Sequence, residues 1–237
     1  MPELPEIETI KRGLEHQVSG KTISHIEIRR SDLRIPVPTN LHETARNATI
    51  TQLHRRSKYL LIELNNQHTI IAHLGMSGKM TVVANKQDSF KKHDHIIFTF
   101  DDNSQLIFND ARRFGLIDLA QSNDIEQHKL ICHLGVEPLS HHFNGKVLYN
   151  VTKKSPSPIK QILMNAKYVV GVGNIYASES LFRARISPLR KGKDVSQKEC
   201  DILAGCVQDT LQDAITAGGS TLKDYAHSDG SMGYFQH

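Results

Sequence analysis

The chain has 237 residues, 38% of them hydrophobic, enough for two modest domains or one large one, each with its own core. No run of about 18 apolar residues is present, so no membrane span is expected, and the N-terminus lacks the basic-then-apolar order of a secretory signal. The formal charge is +4, and three scattered cysteines (Cys132, Cys200 and Cys206) form no CxxC pair, which suits a reducing cytoplasm better than a disulfide framework. Basic residues cluster at Arg29-Arg30, Arg55-Arg56 with Lys58, Lys91-Lys92, Arg112-Arg113 and Lys153-Lys154. Any one pair reads as solvated surface; five of them point toward a polyanion partner.

In chain order, "MPELPEIETI" opens a helix. Pro is tolerated in the first helical turn, acidic residues there complement the helix dipole, and Leu4, Ile7, Ile10, Leu14 and Val18 recur on one face. "TISHIEIRR" then alternates as a strand. "YLLIEL" and "HTIIAHL" flank Asn65-Asn66-Gln67, and "HIIFTF" and "QLIFND" flank Asp101-Asp102-Asn103, two hairpins. "RRFGLIDLA" reads as a further strand. Many short strands with polar turns predict an antiparallel sandwich or barrel. Strand signals stop near residue 120, and "HLGVEPLSHHFN" (133–144) reads as a linker.

Helical signals follow. One helix is expected over about Pro158–Lys167 and another from Asn174, which can cap it. A longer one is expected from Ser196 to Ala217, with Ile202, Leu203, Val207, Leu211 and Ile215 on one face, stopped by "AGGST". The expected fold class is α+β: an N-terminal β-sandwich domain with a leading helix over 1–132, the linker, and an all-helical domain over 145–237. The Gly171–Gly173 stretch before Asn174 suits an ordinary helical hairpin or a helix start offered to phosphate about equally.

Pro2 and Glu3 are left unexplained by the helix alone. If Met1 is removed, Pro2 presents a secondary amine, and an α-amino group has a pKa of about 7.7–8.0, so part of it is neutral near pH 7. Such an amine can attack an electrophilic carbon. On a sugar C1′ it gives an iminium that acidifies the C2′ protons, and loss of the 3′ phosphate can follow. Glu3 is then placed to protonate the ring oxygen.

"MPELPEIET" resembles the start of formamidopyrimidine-DNA glycosylase, a bacterial enzyme family that removes oxidised purines. "RRSKYLLIEL", "HLGMSGKM", "KHDH", "DARRFG", "HLGVEPLS", "VVGVGNIYASESLFRA", "GGSTLKDY" and "SDGSMGYF" resemble further segments of that family, in order. The pyrimidine-directed relative endonuclease VIII typically begins Met-Pro-Glu-Gly, so Leu4 points to the purine branch. The resemblance implies a β-sandwich followed by a helix–two-turns–helix domain. It implies Pro2 as nucleophile, Glu3 as general acid, Glu6 as a supporting carboxylate and Lys58 as proton donor in β-elimination. Met76, Arg112 and Phe114 would fill the hole left by a flipped-out nucleotide, whose extrusion costs a few kcal/mol. His93, Arg112, Lys160 and Asn174 would contact DNA. Ser220, Thr221, Tyr225 and Tyr234 fall in the segment that would close over 8-oxoguanine. Ala111 stands where the family commonly has proline.

The resemblance further implies a zinc finger with two CxxC pairs. The three cysteines cannot supply one, so no metal is expected within residues 1–237, and the four thiolates would have to lie beyond His237. The expected partner is double-stranded DNA carrying oxidised purines, bound by a monomer, with no membrane. The expected activity is base excision followed by strand nicking through β/δ-elimination. The alternatives are a catalytically weak or dead DNA-binding remnant that keeps the basic surface and the wedge, and, more remotely, a generic helix–turn–helix regulator.

Overall fold

A computed structural model describes residues 2–220. Helix α1 (Leu4–Val18) opens the chain, as the periodicity predicts, with Leu4, Ile7, Ile10, Leu14 and Val18 all buried. Eight strands follow: β1 (Ile23–Ile28), β2 (Ile50–Arg56), β3 (Tyr59–Leu64), β4 (His68–His73), β5 (Lys79–Val83), β6 (Asp94–Phe100), β7 (Gln105–Asn109) and β8 (Leu116–Gln121). A short helix α2 (Leu41–Ala45) lies between β1 and β2. The strands form two four-stranded antiparallel sheets, ordered β1-β6-β7-β5 and β2-β3-β4-β8. Their inner faces and α1 share one core that includes Ile7, Leu14, Leu53, Ile62, Phe98 and Phe108. Both expected hairpins are present, β3–β4 and β6–β7, and Gln67 and Asn103 take positive φ at their turns.

Strands β2 and β5 carry no clear alternation in the sequence. "ITQLHRR" is mostly polar because only Ile50 and Leu53 face inward. The expected strand over "RRFGLIDLA" begins only at Leu116. Residues 112–115 form a loop, since Arg113 sits at φ +58 and Gly115 is tied to a side chain instead of a ladder.

The second core is built by α3 (Gly145–Thr152), α4 (Ile159–Leu163), α5 (Asn174–Arg183) and α6 (Gln197–Thr216). Leu4, from the first helix of the chain, packs in this core as well. Helix α3 escapes sequence reading because it is short and holds two valines and a threonine, poor helix formers. Asn144 caps it by accepting the Val147 N–H at 3.0 Å. Helix α4 is shorter than expected because Asn165 accepts the Lys167 N–H with its side chain and turns the backbone away from helix. Helix α6 matches its expected span, with a Ser196–Glu199 capping box at one end and Gly218 and Gly219 at positive φ at the other. Ile202 is the exception to its apolar face. The buried stripe runs Cys200, Leu203, Val207, Leu211 and Ile215, and Ile202 lies beside it, 48% exposed.

The segment over 133–144 is paired to its neighbours. Gly135 and Val136 donate to the Ala166 and Tyr168 carbonyls, and Val170 donates back to Val136. Among the described residues no helix is long and apolar enough to cross a membrane.

Candidate active site

The chain's first residues are buried where its two cores meet. Pro2 is buried and Glu3 is 3% exposed. The Leu4 N–H donates to the Gly171 carbonyl at 3.0 Å, which ties the start of α1 to the loop before α5. Glu3 accepts backbone N–H groups from Gly173 at 2.7 Å and Ile175 at 3.0 Å. A carboxylate is thus seated on the positive end of α5. The two glycines make this possible. A Cβ on Gly173 would lie 2.4 Å from the Glu3 carboxyl carbon, and one on Gly171, at φ +77, would lie 2.7 Å from the Leu4 side chain.

Asn174, expected to cap α5, is its first helical residue and is exposed; Gly173 holds the cap position. The N–H groups that a phosphate would need at Gly173 and Ile175 are already taken by Glu3. The short Gly-x-Gly turn offered no sign that an N-terminal carboxylate some 170 residues away would fill this helix start.

Glu6 backs Glu3. Its Oε2 accepts the Glu3 N–H at 2.8 Å. Its Oε1 accepts the Tyr176 hydroxyl at 2.5 Å, and the Ser220 N–H and hydroxyl at 2.9 and 3.2 Å. Tyr176 was not legible as a site residue, since a tyrosine in a helix usually reads as core; its burial pushes the phenol pKa strongly up, with Glu6 beside it adding to the shift. Ser220 is anchored here, while Thr221, Tyr225 and Tyr234 lie outside the described residues.

Lys58 lies in the β2–β3 turn and is half-buried. Burial pushes its ammonium below the ordinary lysine range, and the Glu3 and Glu6 carboxylates pull it partly back. Burial likewise raises the Glu3 carboxyl above 4.5, against Lys58 and the backbone N–H groups, which lower it. The two groups lie within each other's field at one site. Lys58 opens into a cavity of about 280 Å³ lined also by Arg34, Tyr59, His73, His133 and Gly171. His73 is buried and neutral at pH 7, its pKa brought down to about 4 by burial and by the nearby Arg34 and Lys58 charges. Its Nδ1 accepts the Gly75 N–H at 2.9 Å.

That bond leads to the second cluster. Met76 and Phe114, both large and apolar, are 38% and 46% exposed on two adjoining loops. The loops touch so closely that a Cβ on Gly75 would lie 2.4 Å from the Phe114 backbone. The Arg112 guanidinium stacks over the Phe114 ring at 5.0 Å. Asp110, fully buried, holds both loops: it accepts Ser77 Oγ at 2.6 Å, the Arg112 N–H at 3.2 Å and the Gly115 N–H at 2.7 Å. Its own N–H donates to the His93 carbonyl, which brings His93 to the same edge. Asp110 escaped sequence reading because a lone aspartate in a polar loop has no period and no spacing signal. Lys160, on α4, is half-buried, and among the described residues no side-chain hydrogen bond or ion pair joins it to Glu3, Lys58 or the wedge.

The family description "Formamidopyrimidine-DNA glycosylase N-terminal domain" matches residues 1–117, and "Formamidopyrimidine-DNA glycosylase H2TH domain" matches residues 134–226. This chain belongs to the formamidopyrimidine-DNA glycosylase family. It is 48% identical over 236 residues to the family's enzyme from Wolbachia pipientis subsp. Culex pipiens, a match spanning all of this chain and 86% of the relative. It is 45% identical over 245 residues to that from Dinoroseobacter shibae, with the same coverage. In structure it is similar to Lactococcus lactis Fpg in complex with DNA containing an abasic site, at a TM-score of 0.89 and 33% identity over 99% of this chain and 85% of that one. It is likewise similar to MutM (Fpg) from Thermus thermophilus, at a TM-score of 0.87 and 34% identity over 99% of this chain and 85% of that one. The family is one of bifunctional DNA glycosylases and abasic-site lyases of base-excision repair.

Among the described residues, no group of three His, Cys, Asp or Glu side chains is arranged to hold a metal ion.

Proposed function

We propose that this chain binds duplex DNA carrying oxidised purines, excises the base and nicks the abasic strand through a Schiff base on Pro2. The observation that supports it most is the seating of Glu3: a carboxyl next in sequence to Pro2, buried, with its pKa raised by that burial, and held within the field of a half-buried lysine. With Met1 removed, the neutral Pro2 nitrogen attacks C1′ of the flipped nucleotide while Glu3 gives its proton to the opening sugar. The Pro2 N–H proton is given up once the C1′–N bond has formed, and the C1′–base bond breaks, the base leaving with the bonding pair and taking up a proton. The iminium that results draws electrons from C2′, a C2′ proton is lost, and the C3′–O bond breaks, its electron pair leaving with the phosphate that then ends the downstream strand. Lys58, with its depressed pKa, is a better proton donor at neutral pH than an ordinary lysine.

Met76, Arg112 and Phe114 suit the gap left in the duplex. The apolar side chains restore contact in the stack and the guanidinium faces the orphaned base. His93, Lys160 and Asn174 serve phosphate contacts in this reading, and Ser220 anchors the start of a lesion-recognition segment. The zinc finger that the family resemblance implies is used in no step.

Borohydride trapping on an 8-oxoguanine duplex tests the reading. A covalent cross-link whose peptide maps to Pro2 is expected, with some trapping kept by Pro2→Gly, since a primary amine also forms a Schiff base. A cross-link mapping only to an internal lysine would remove Pro2 from the mechanism.

A further inference from the structure

We propose that Glu137 is a positioning residue for Lys58, clamping the β2–β3 turn to the segment that leads into the helical half of the molecule. Three consecutive residues, the last two of β2 and the first of the turn, converge on its one carboxylate. Arg55 Nη1 donates at 2.8 Å, Arg56 Nη1 at 3.0 Å and the Ser57 N–H at 2.6 Å. Arg56 also donates to the Leu134 and Gly135 carbonyls, and Arg55 Nε to Glu8 on α1 at 3.0 Å. The basic pair that reads in the sequence as part of a polyanion surface is therefore an internal clamp.

The clamp has strain to hold. Ser57 is a buried non-glycine residue at φ +56, a conformation that persists only where surroundings impose it. Lys58 is the next residue of the same two-residue turn, so the backbone that carries it is the backbone the clamp holds. On the other side, the Glu137 carbonyl accepts the Ser140 N–H and hydroxyl, and Gly135 and Val136 pair with residues 166–170. That pairing ends one residue before Gly171, whose carbonyl holds Leu4, and three before Gly173, which holds the Glu3 carboxylate. One carboxylate thus sets the distance between the lysine's turn and the acid's seat.

The inference rests on the proposed reaction, and two readouts keep the two apart. The first is independent of activity: the rate at which Lys58 is acylated by a small amine-reactive ester, followed by mass spectrometry across pH. The groups facing Lys58 are Glu3 and Glu6 at the start of α1, Arg34 from the β1–α2 loop, Tyr59 from β3, His73 from β4 and His133 from the segment before Glu137, and none of these is altered. Glu137→Gln keeps an acceptor for Ser57 but loses the charge; Glu137→Ala loses both. In either, Lys58 should titrate closer to an ordinary lysine, more so in the alanine variant, and the limb of the single-turnover elimination profile that reports Lys58 should move up in pH with it. The rate at neutral pH should fall by about 10-fold to 10²-fold, as expected for a displaced catalytic group.

An unchanged Lys58 titration, with a loss of rate uniform across pH, would make Glu137 merely structural and overturn the inference. The glutamine variant carries the test should the alanine variant not fold. Failure of the wild-type chain to trap at Pro2 would overturn the reaction, while Lys58 labelling would still decide the role of Glu137.

Discussion

Glu3 shows how one residue's chemistry follows from its surroundings. Two opposing effects act on it: loss of water raises its pKa, while backbone N–H groups and Lys58 lower it, and burial is the larger. The protonated form therefore survives to higher pH than in a free carboxyl, and base excision should decline as pH rises through that raised value. Glu3→Gln should reduce excision by about 10²- to 10⁴-fold and leave cleavage of a preformed abasic site less affected. Quench kinetics on both substrates check this, and equal losses on the two would argue against Glu3 as the acid of the first step. His73 carries a stability prediction. Its folded pKa, about 4, lies below the unfolded 6.5, so the unfolded chain binds the extra proton between those values. The contribution is complete above pH 6.5 and is lost as pH falls toward 4, on the order of 3 kcal/mol in all. In His73→Gln, denaturant midpoints should depend less on pH within that window.

At the scale of elements, the start of α5 is open to disruption by a single methyl group. Gly173→Ala would drive a Cβ into the Glu3 carboxyl. The variant should keep its helical core, read by circular dichroism, yet lose excision nearly as fully as Glu3→Gln, because the acid is pushed off its donors. A Gly173→Ala protein with unimpaired excision would show that this seat is not the catalytic one. Helix α6 offers a contrasting case. Ser196→Ala removes a cap that accepts the Glu199 N–H and should cost about 1 kcal/mol in chemical denaturation without touching activity. The Glu199 carboxyl, held at about 2 chiefly by Arg190, contributes above pH 4.5 and is lost as pH falls through its folded value.

Across the whole molecule, the two cores meet at the N-terminus, and the proposed DNA edge runs from His93 through Arg112 to Met76. Charge and wedge should separate experimentally. Lys160→Ala should weaken binding to lesion duplex and flatten its salt dependence by a slope of roughly 0.9 if it neutralises one phosphate. Met76→Ala should weaken lesion binding with the slope unchanged. Fluorescence anisotropy titrations over a salt series distinguish the two, and a flattened slope in Met76→Ala would contradict its assignment as an uncharged wedge.

Local chemistry made much of this protein legible. The five-residue apolar stripe of α1, both hairpins, and the long α6 with its serine start and glycine stop all express rules that act within a few residues. Strands β2 and β5 were not legible, because their inward faces are too sparse to set a period. The partners of the charged groups were not legible either. Arg55 and Arg56 read as surface, yet they are turned inward onto Glu137 some 80 residues away. Asp110 and Tyr176 gave no signal, yet one pins the wedge loops and the other holds Glu6. Periodicity and capping are fixed by neighbours in the chain. Which carboxylate meets which N–H or guanidinium, and how far burial moves a pKa, depends on distant segments packing together, and only the tertiary structure decides that.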